Sequence, residues 1–123
     1  MAYQINHPLK VEEVISALSL NLITDIYDNR EVSTGYCCDM LSWVISKLEA
    51  TACWFTILNS LNVIAVATLS DCPMVVITEC EGQIDPNVIV KAKEERVVIC
   101  STPMNSFMAA CALHNLFNSS SED

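Results

Sequence analysis

Apolar positions along the chain fall into two kinds of segment. Val11, Val14, Ile15 and Leu18 recur at i, i+3, i+4 and i+7, one face of an amphipathic helix, with Pro8 suited to its first turn and Asn6 or His7 near the cap. Leu20 to Thr24 is short and apolar and fits a strand; Asp25 to Glu31 is polar and turn-rich. Val32 to Cys38 reads as a second strand in which Gly35 marks a bulge or a close backbone approach. Asp39 is placed to cap a helix whose face is Met40, Leu41, Val44, Ile45 and Leu48.

Ala52 to Leu58 is rich in β-formers. Asn59 or Ser60 opens a helix to about Leu69 that is apolar nearly all round, hence buried on more than one side. Cys72–Pro73 breaks the chain, and Met74 to Thr78 is an unbroken apolar run, the mark of a strand covered on both faces. An acidic loop from Glu79 to Asp85 leads to a helix from Pro86 to about Arg96. A strand over Val97 to Cys100 and a helix over about Met104 to Phe117 follow. Strands alternating with helices predict a single α/β domain, mainly a parallel sheet with flanking helices, over residues 1–117, with 118–123 a flexible tail.

Composition adds a second expectation. Of 123 residues 52% are hydrophobic and 17% charged, against about 25% charged in an ordinary soluble domain. Such a chain has little charge with which to cover its apolar surface, which predicts a homodimer. The helix from Ser60 to Leu69 is the place for it, through Leu61, Ile64, Ala65 and Leu69. The net charge is −9 with six Lys and Arg, and the one basic group, Lys91, Lys93 and Arg96, is interrupted by Glu94 and Glu95. A nucleic-acid face or an anionic membrane needs a basic stripe, so neither partner is expected. Ala50 to Ser70 has no charge, but Asn59, Ser60 and Asn62 at its centre argue against a membrane span. No cationic stretch followed by an apolar run opens the sequence, which predicts a cytoplasmic protein.

Candidate chemistry is sparse. Two glycines, Gly35 and Gly82, are too few for a phosphate loop or a dinucleotide fingerprint. His7 and His114 have no nucleophile or base at a signature spacing. The seven cysteines form no CxxC, so reduced thiols in the core are expected rather than a zinc or iron–sulfur site. No catalytic residue, metal ligand or cofactor is assigned. Two small polar patches stand out, Ser33, Thr34 and Gly35, and Asn59, Ser60 and Asn62. Amides at a helix start there suit an anion or a nucleotide phosphate, as caps and turns also would.

The stretch Asn29-Arg30-Glu31-Val32-Ser33-Thr34-Gly35-Tyr36 resembles the signature of the DRTGG domain family, Asp-Arg, two residues, Thr, Gly, Gly and often an aromatic. Asn59 to Ala67 is similar to the family's second recurrent segment, and Asp39 suits the acidic position between them. The resemblance implies an α/β fold like the N-terminal domain of HPr kinase, without kinase activity. It implies a dimer-forming regulatory domain of the kind found beside CBS pairs in pyrophosphatases and phosphate acetyltransferases. Small stand-alone members accompany hydrogenase-related genes, which implies a regulatory or hydrogenase-related protein partner. The expected function is therefore that of a non-catalytic accessory module acting through homodimerisation and partner binding. A sensor of a nucleotide or phosphometabolite through Arg30, Ser33, Thr34, Gly35, Asn59, Ser60 and Asn62 is the alternative, and a metal or iron–sulfur protein the third reading.

Overall fold

A computed structural model describes residues 7–25 and 27–119. A short ladder comes first: β1 (Leu9–Lys10) pairs antiparallel with β3 (Glu31–Val32). Between them lie α1 (Val11–Ala17) and β2 (Asn21–Leu22). The rest alternates: β4 (Thr34–Cys37), α2 (Leu41–Lys47), β5 (Ala52–Thr56), α3 (Leu61–Ser70), β6 (Met74–Ile77), α4 (Pro86–Glu94), β7 (Ile99–Ser101) and α5 (Ser106–Ser119). The main sheet has the order β2-β7-β6-β5-β4, parallel throughout except for β2, which runs against β7. The expected α/β fold with a mainly parallel sheet is what the chain adopts.

Strand alternation splits the core into two layers. Ala52 and Trp54 of β5, Val75 and Ile77 of β6, and Ile99 of β7 meet Val44 of α2, Val63 and Ile64 of α3, and Val88 and Ala92 of α4. Cys53, Phe55, Met74, Val76 and Cys100 point the other way, onto Val11 and Val14 of α1 and Ala109, Leu113 and Phe117 of α5. The three crossovers α2, α3 and α4 share one face because each strand is added on the same side of the last with the same hand. Both central strands are buried at every position, which is why they read as unbroken apolar or β-branched runs. Each fully buried large side chain, such as Trp54 or Phe55, stabilises the fold by roughly 1.5–3 kcal/mol.

Three local expectations are corrected. No helix opens at Pro8: Leu9 is paired with Val32, and α1 starts at Val11 with Lys10 as its N-cap. Asn6 lies outside the described residues. Val32 to Cys38 is not one strand. It breaks at Ser33, whose N–H turns to Thr51 O at 2.9 Å, while Gly35 sits within β4. Asp39 does not cap α2, since Met40 holds that position without a side-chain bond. Instead Asp39 Oδ1 accepts from Thr56 Oγ1 at 2.7 Å and from Ile57 N at 2.9 Å, tying the end of β4 to the end of β5. At the other end of the chain Asn118 and Ser119 belong to α5; residues 120–123 of the expected tail lie outside the described residues.

Candidate functional site

The two polar patches of the sequence lie at opposite ends of the sheet. Arg30 and Ser33 sit at the edge where the parallel strands begin. Asn59, Ser60 and Asn62 are exposed beyond the end of β5, at the start of α3. The five residues of β5 separate them, roughly 16 Å at about 3.3 Å per residue. One small ligand does not touch both.

Arg30 is already engaged. Its Nη2 donates to Asp71 O at 2.8 Å and to Ala50 O at 3.2 Å, and its Nη1 reaches Asp71 Oδ1 at 3.2 Å. Asp71 ends α3 in the left-handed region, φ 54°. The guanidinium thus satisfies a carbonyl at the negative end of that helix and fastens the β3 loop to the sheet. Thr34 is half-buried and pairs with Ala52. A Cβ at Gly35 would stand 3.2 Å from Leu113 Cδ2 and 3.6 Å from Phe55 Cε2. The residue is glycine because α5 crosses β4 closely there.

The edge where the parallel strands end has a feature the sequence reading missed. Thr56, Thr78, Ser101 and Thr102 close β5, β6 and β7 with buried hydroxyls. Thr78 Oγ1 and Ser106 Oγ are 2.8 Å apart, Asn21 Nδ2 donates to Ser101 Oγ at 3.3 Å, and Met104 N donates to Thr102 Oγ1 at 3.2 Å. The signal in the sequence is a Thr or Ser closing each apolar run. Each hydroxyl thus has its own partner, and the Thr78–Ser106 contact joins α5 to the end of β6. Asp39, Glu79, Glu81 and Asp85 stand exposed near them. Among the described residues the cations lie elsewhere. Arg30 pairs with Asp71, Lys91 with Glu95, Lys93 with Asp25 and Arg96 with Asp28, and Lys47 lies over Trp43.

The remaining feature is α3 itself. Its expected interface residues divide by burial. Ile64 is core, whereas Leu61 and Leu69 are 51% and 74% exposed and Ala65 is exposed between them. Spacing of four places Leu61, Ala65 and Leu69 on one stripe of the helix. That stripe walls a groove of about 330 Å³, with Ile64 at its base and Lys91 of α4 and Glu95 just after it on the far side. Those two bridge each other at 3.1 Å, so the charged rim is neutral.

The cysteines are free, with Cys53, Cys72, Cys80 and Cys100 buried. Burial pushes the Cys72 and Cys100 thiols each up to about 12, and Cys53 is raised well above the ordinary thiol value by burial and by its Cys72 neighbour. Thiols held protonated in this way are poor nucleophiles and poor ligands. Among the described residues no group of three His, Cys, Asp or Glu side chains is arranged to hold a metal ion, and no helix is long and apolar enough to cross a membrane.

No protein-family model matches the sequence, and no curated protein is similar to it in sequence. The structure is similar to the CBS and DRTGG domains of the regulatory region of Clostridium perfringens pyrophosphatase, solved in complex with the activator diadenosine tetraphosphate. The TM-score is 0.67 at 13% sequence identity, over 84% of this chain and 45% of that one. This chain therefore spans under half of the solved regulatory region, and what the two share is the DRTGG-like fold.

Proposed function

We propose that this chain is a non-catalytic regulatory module that works by self-association through the exposed stripe of α3. The observation that carries the reading is the groove between α3 and α4, walled by Leu61, Ala65 and Leu69 on the outside of a fully built monomer core. Exposed large apolar side chains beside a groove mark an interaction surface. The stripe is symmetric about Ala65. In an antiparallel twofold crossing at that small residue, Leu61 of one copy lies against Leu69 of the other. The stripe is also uncharged, so two copies carrying −9 each meet there without opposing carboxylates.

The regulatory part of the reading is supported by the likeness to a regulatory region. A nucleotide polyphosphate as the signal is less favoured for this chain. Such a ligand needs a cluster of free cations. Of the six Lys and Arg, Arg30, Lys91, Lys93 and Arg96 pair with carboxylates and Lys47 lies over Trp43, which leaves Lys10 as a single cation rather than a cluster. Free, buried thiols suit a reducing cytoplasmic setting.

Sedimentation of the wild type and of Leu69→Glu tests the proposal. The wild type is expected to self-associate at micromolar concentration. The variant, which sets a carboxylate against the apolar Leu61 of the other copy, is expected to weaken association by at least about tenfold. A monomeric wild type, or a variant that associates as the wild type does, would overturn it.

A further inference from the structure

The outer side of β4 is open main chain. Its inner side is fixed by β5: Thr34 N donates to Thr51 O at 3.4 Å and Cys38 N to Phe55 O at 3.3 Å, with Tyr36 opposite Trp54 between them. Alternate residues of a parallel ladder turn their N–H and C=O to the same neighbour. Thr34, Tyr36 and Cys38 therefore face β5, and Gly35 and Cys37 turn theirs outward. Both outward residues are exposed. Gly35 has no side chain, so its exposure is exposure of the backbone. Among the described residues no strand lies beyond β4. Of the side-chain protections of an edge, a lysine, a proline or an inward charge, Thr-Gly-Tyr-Cys has none.

We infer that β4 is a second self-association surface, at which two copies pair antiparallel about a twofold axis at Tyr36. In an antiparallel ladder, residues that turn both main-chain groups to the partner exchange both bonds with the residue opposite. With the axis at Tyr36, Gly35 of each copy lies opposite Cys37 of the other, and every outward N–H and C=O of both residues is used. Shifting the axis to Gly35 would leave Cys37 against Ser33, and shifting it to Cys37 would leave Gly35 against Asp39. Tyr36 meets its counterpart at a non-hydrogen-bonded site, where side chains approach closely. The missing Cβ at Gly35 leaves room for the opposing Cys37 side chain. A second copy is the occupant because the strand is self-complementary in this register and carries no charge, while the chain as a whole carries −9.

The edge is separate from the α3 stripe, which lies in the helical layer between α2 and α4, so the two surfaces can be tested apart. Cys37→Pro removes an outward N–H without touching the ladder to β5. Cys37→Lys places a charge on the edge with the backbone intact. In the Leu69→Glu background, residual self-association is expected by sedimentation, and adding either Cys37 substitution is expected to weaken it by at least about tenfold. Residue-resolved amide exchange of Leu69→Glu gives the direct reading. Gly35 and Cys37 are expected to slow by at least about tenfold as concentration rises from micromolar to hundreds of micromolar. A Leu69→Glu protein that is monomeric throughout, a Cys37→Lys addition without effect, or concentration-independent exchange at Gly35 and Cys37 would overturn β4 pairing and leave the α3 reading standing. If Leu69→Glu associates like the wild type and Cys37→Lys does not, β4 pairing stands and the α3 reading falls.

Discussion

With two glycines in the chain, left-handed turns fall to other residues. Ser19 (φ 53°), Asp71 (φ 54°) and Arg96 (φ 58°) take that conformation just after α1, at the end of α3 and just after α4. A side chain there costs about 1 kcal/mol relative to glycine. At Asp71 and Arg96 the side chain is used in an ion pair, with Arg30 and Asp28 respectively. Ser19 is exposed and only its backbone is bonded, its N–H donating to Ser16 O at 3.2 Å. Ser19→Gly is therefore expected to stabilise the protein by about 0.5–1 kcal/mol in a denaturant titration. Arg30 illustrates how a motif residue can carry a structural role that its local sequence does not announce. Its place in the DRTGG-like stretch pointed to a ligand, and in the structure its guanidinium binds the chain's own Asp71 and Ala50. No local pattern encodes a contact to a residue 41 positions away.

Elements were legible where one local signal settles them. The apolar runs at β5 and β6, and Pro86 at the start of α4, needed no tertiary knowledge, whereas the cap that Asp85 Oδ1 supplies by accepting from Asn87 N at 2.8 Å went unread. The ladder of β1 with β3 was not legible. Each strand has two residues, and the pairing joins Leu9 to Val32 across a whole helix. In α3 the sequence pointed to the helix proposed as the interface but did not separate its outer face from its core face. A helix that is apolar nearly all round has no polar side to mark solvent, so Ile64 was grouped with Leu61, Ala65 and Leu69 although it is core. The division makes an expectation at this scale. Ile64→Ala should cost about 2–5 kcal/mol of stability. Ala65→Arg, on the exposed stripe, should leave stability within about 0.5 kcal/mol of the wild type while weakening self-association. Thermal unfolding and sedimentation of the two variants together check both halves.

At the scale of the molecule, two parted core layers share one sheet, and four thiols are sealed inside them. That burial makes stability depend on alkaline pH. Cys72 and Cys100 stay protonated in the folded state up to about 12, against an ordinary 9.0. Above the ordinary value the unfolded chain has lost protons that the native state still binds, so the stabilisation is complete below about pH 9 and lost as pH rises towards 12. Each thiol contributes a fall of up to about 1.4 kcal/mol per pH unit in that window. Urea titrations from pH 8 to 11 should show it, and replacing Cys100 with Ala should flatten the slope.

The molecule's charge is all but confined to its periphery, and the uncharged stripe of α3 is where the proposed function has two copies of an acidic chain meet. The most direct test is sedimentation equilibrium of the wild-type protein from micromolar to hundreds of micromolar. At least twice the chain mass at the upper end, falling towards the chain mass on dilution, is the result expected. A constant single-chain mass across that range would contradict self-association and the function built on it.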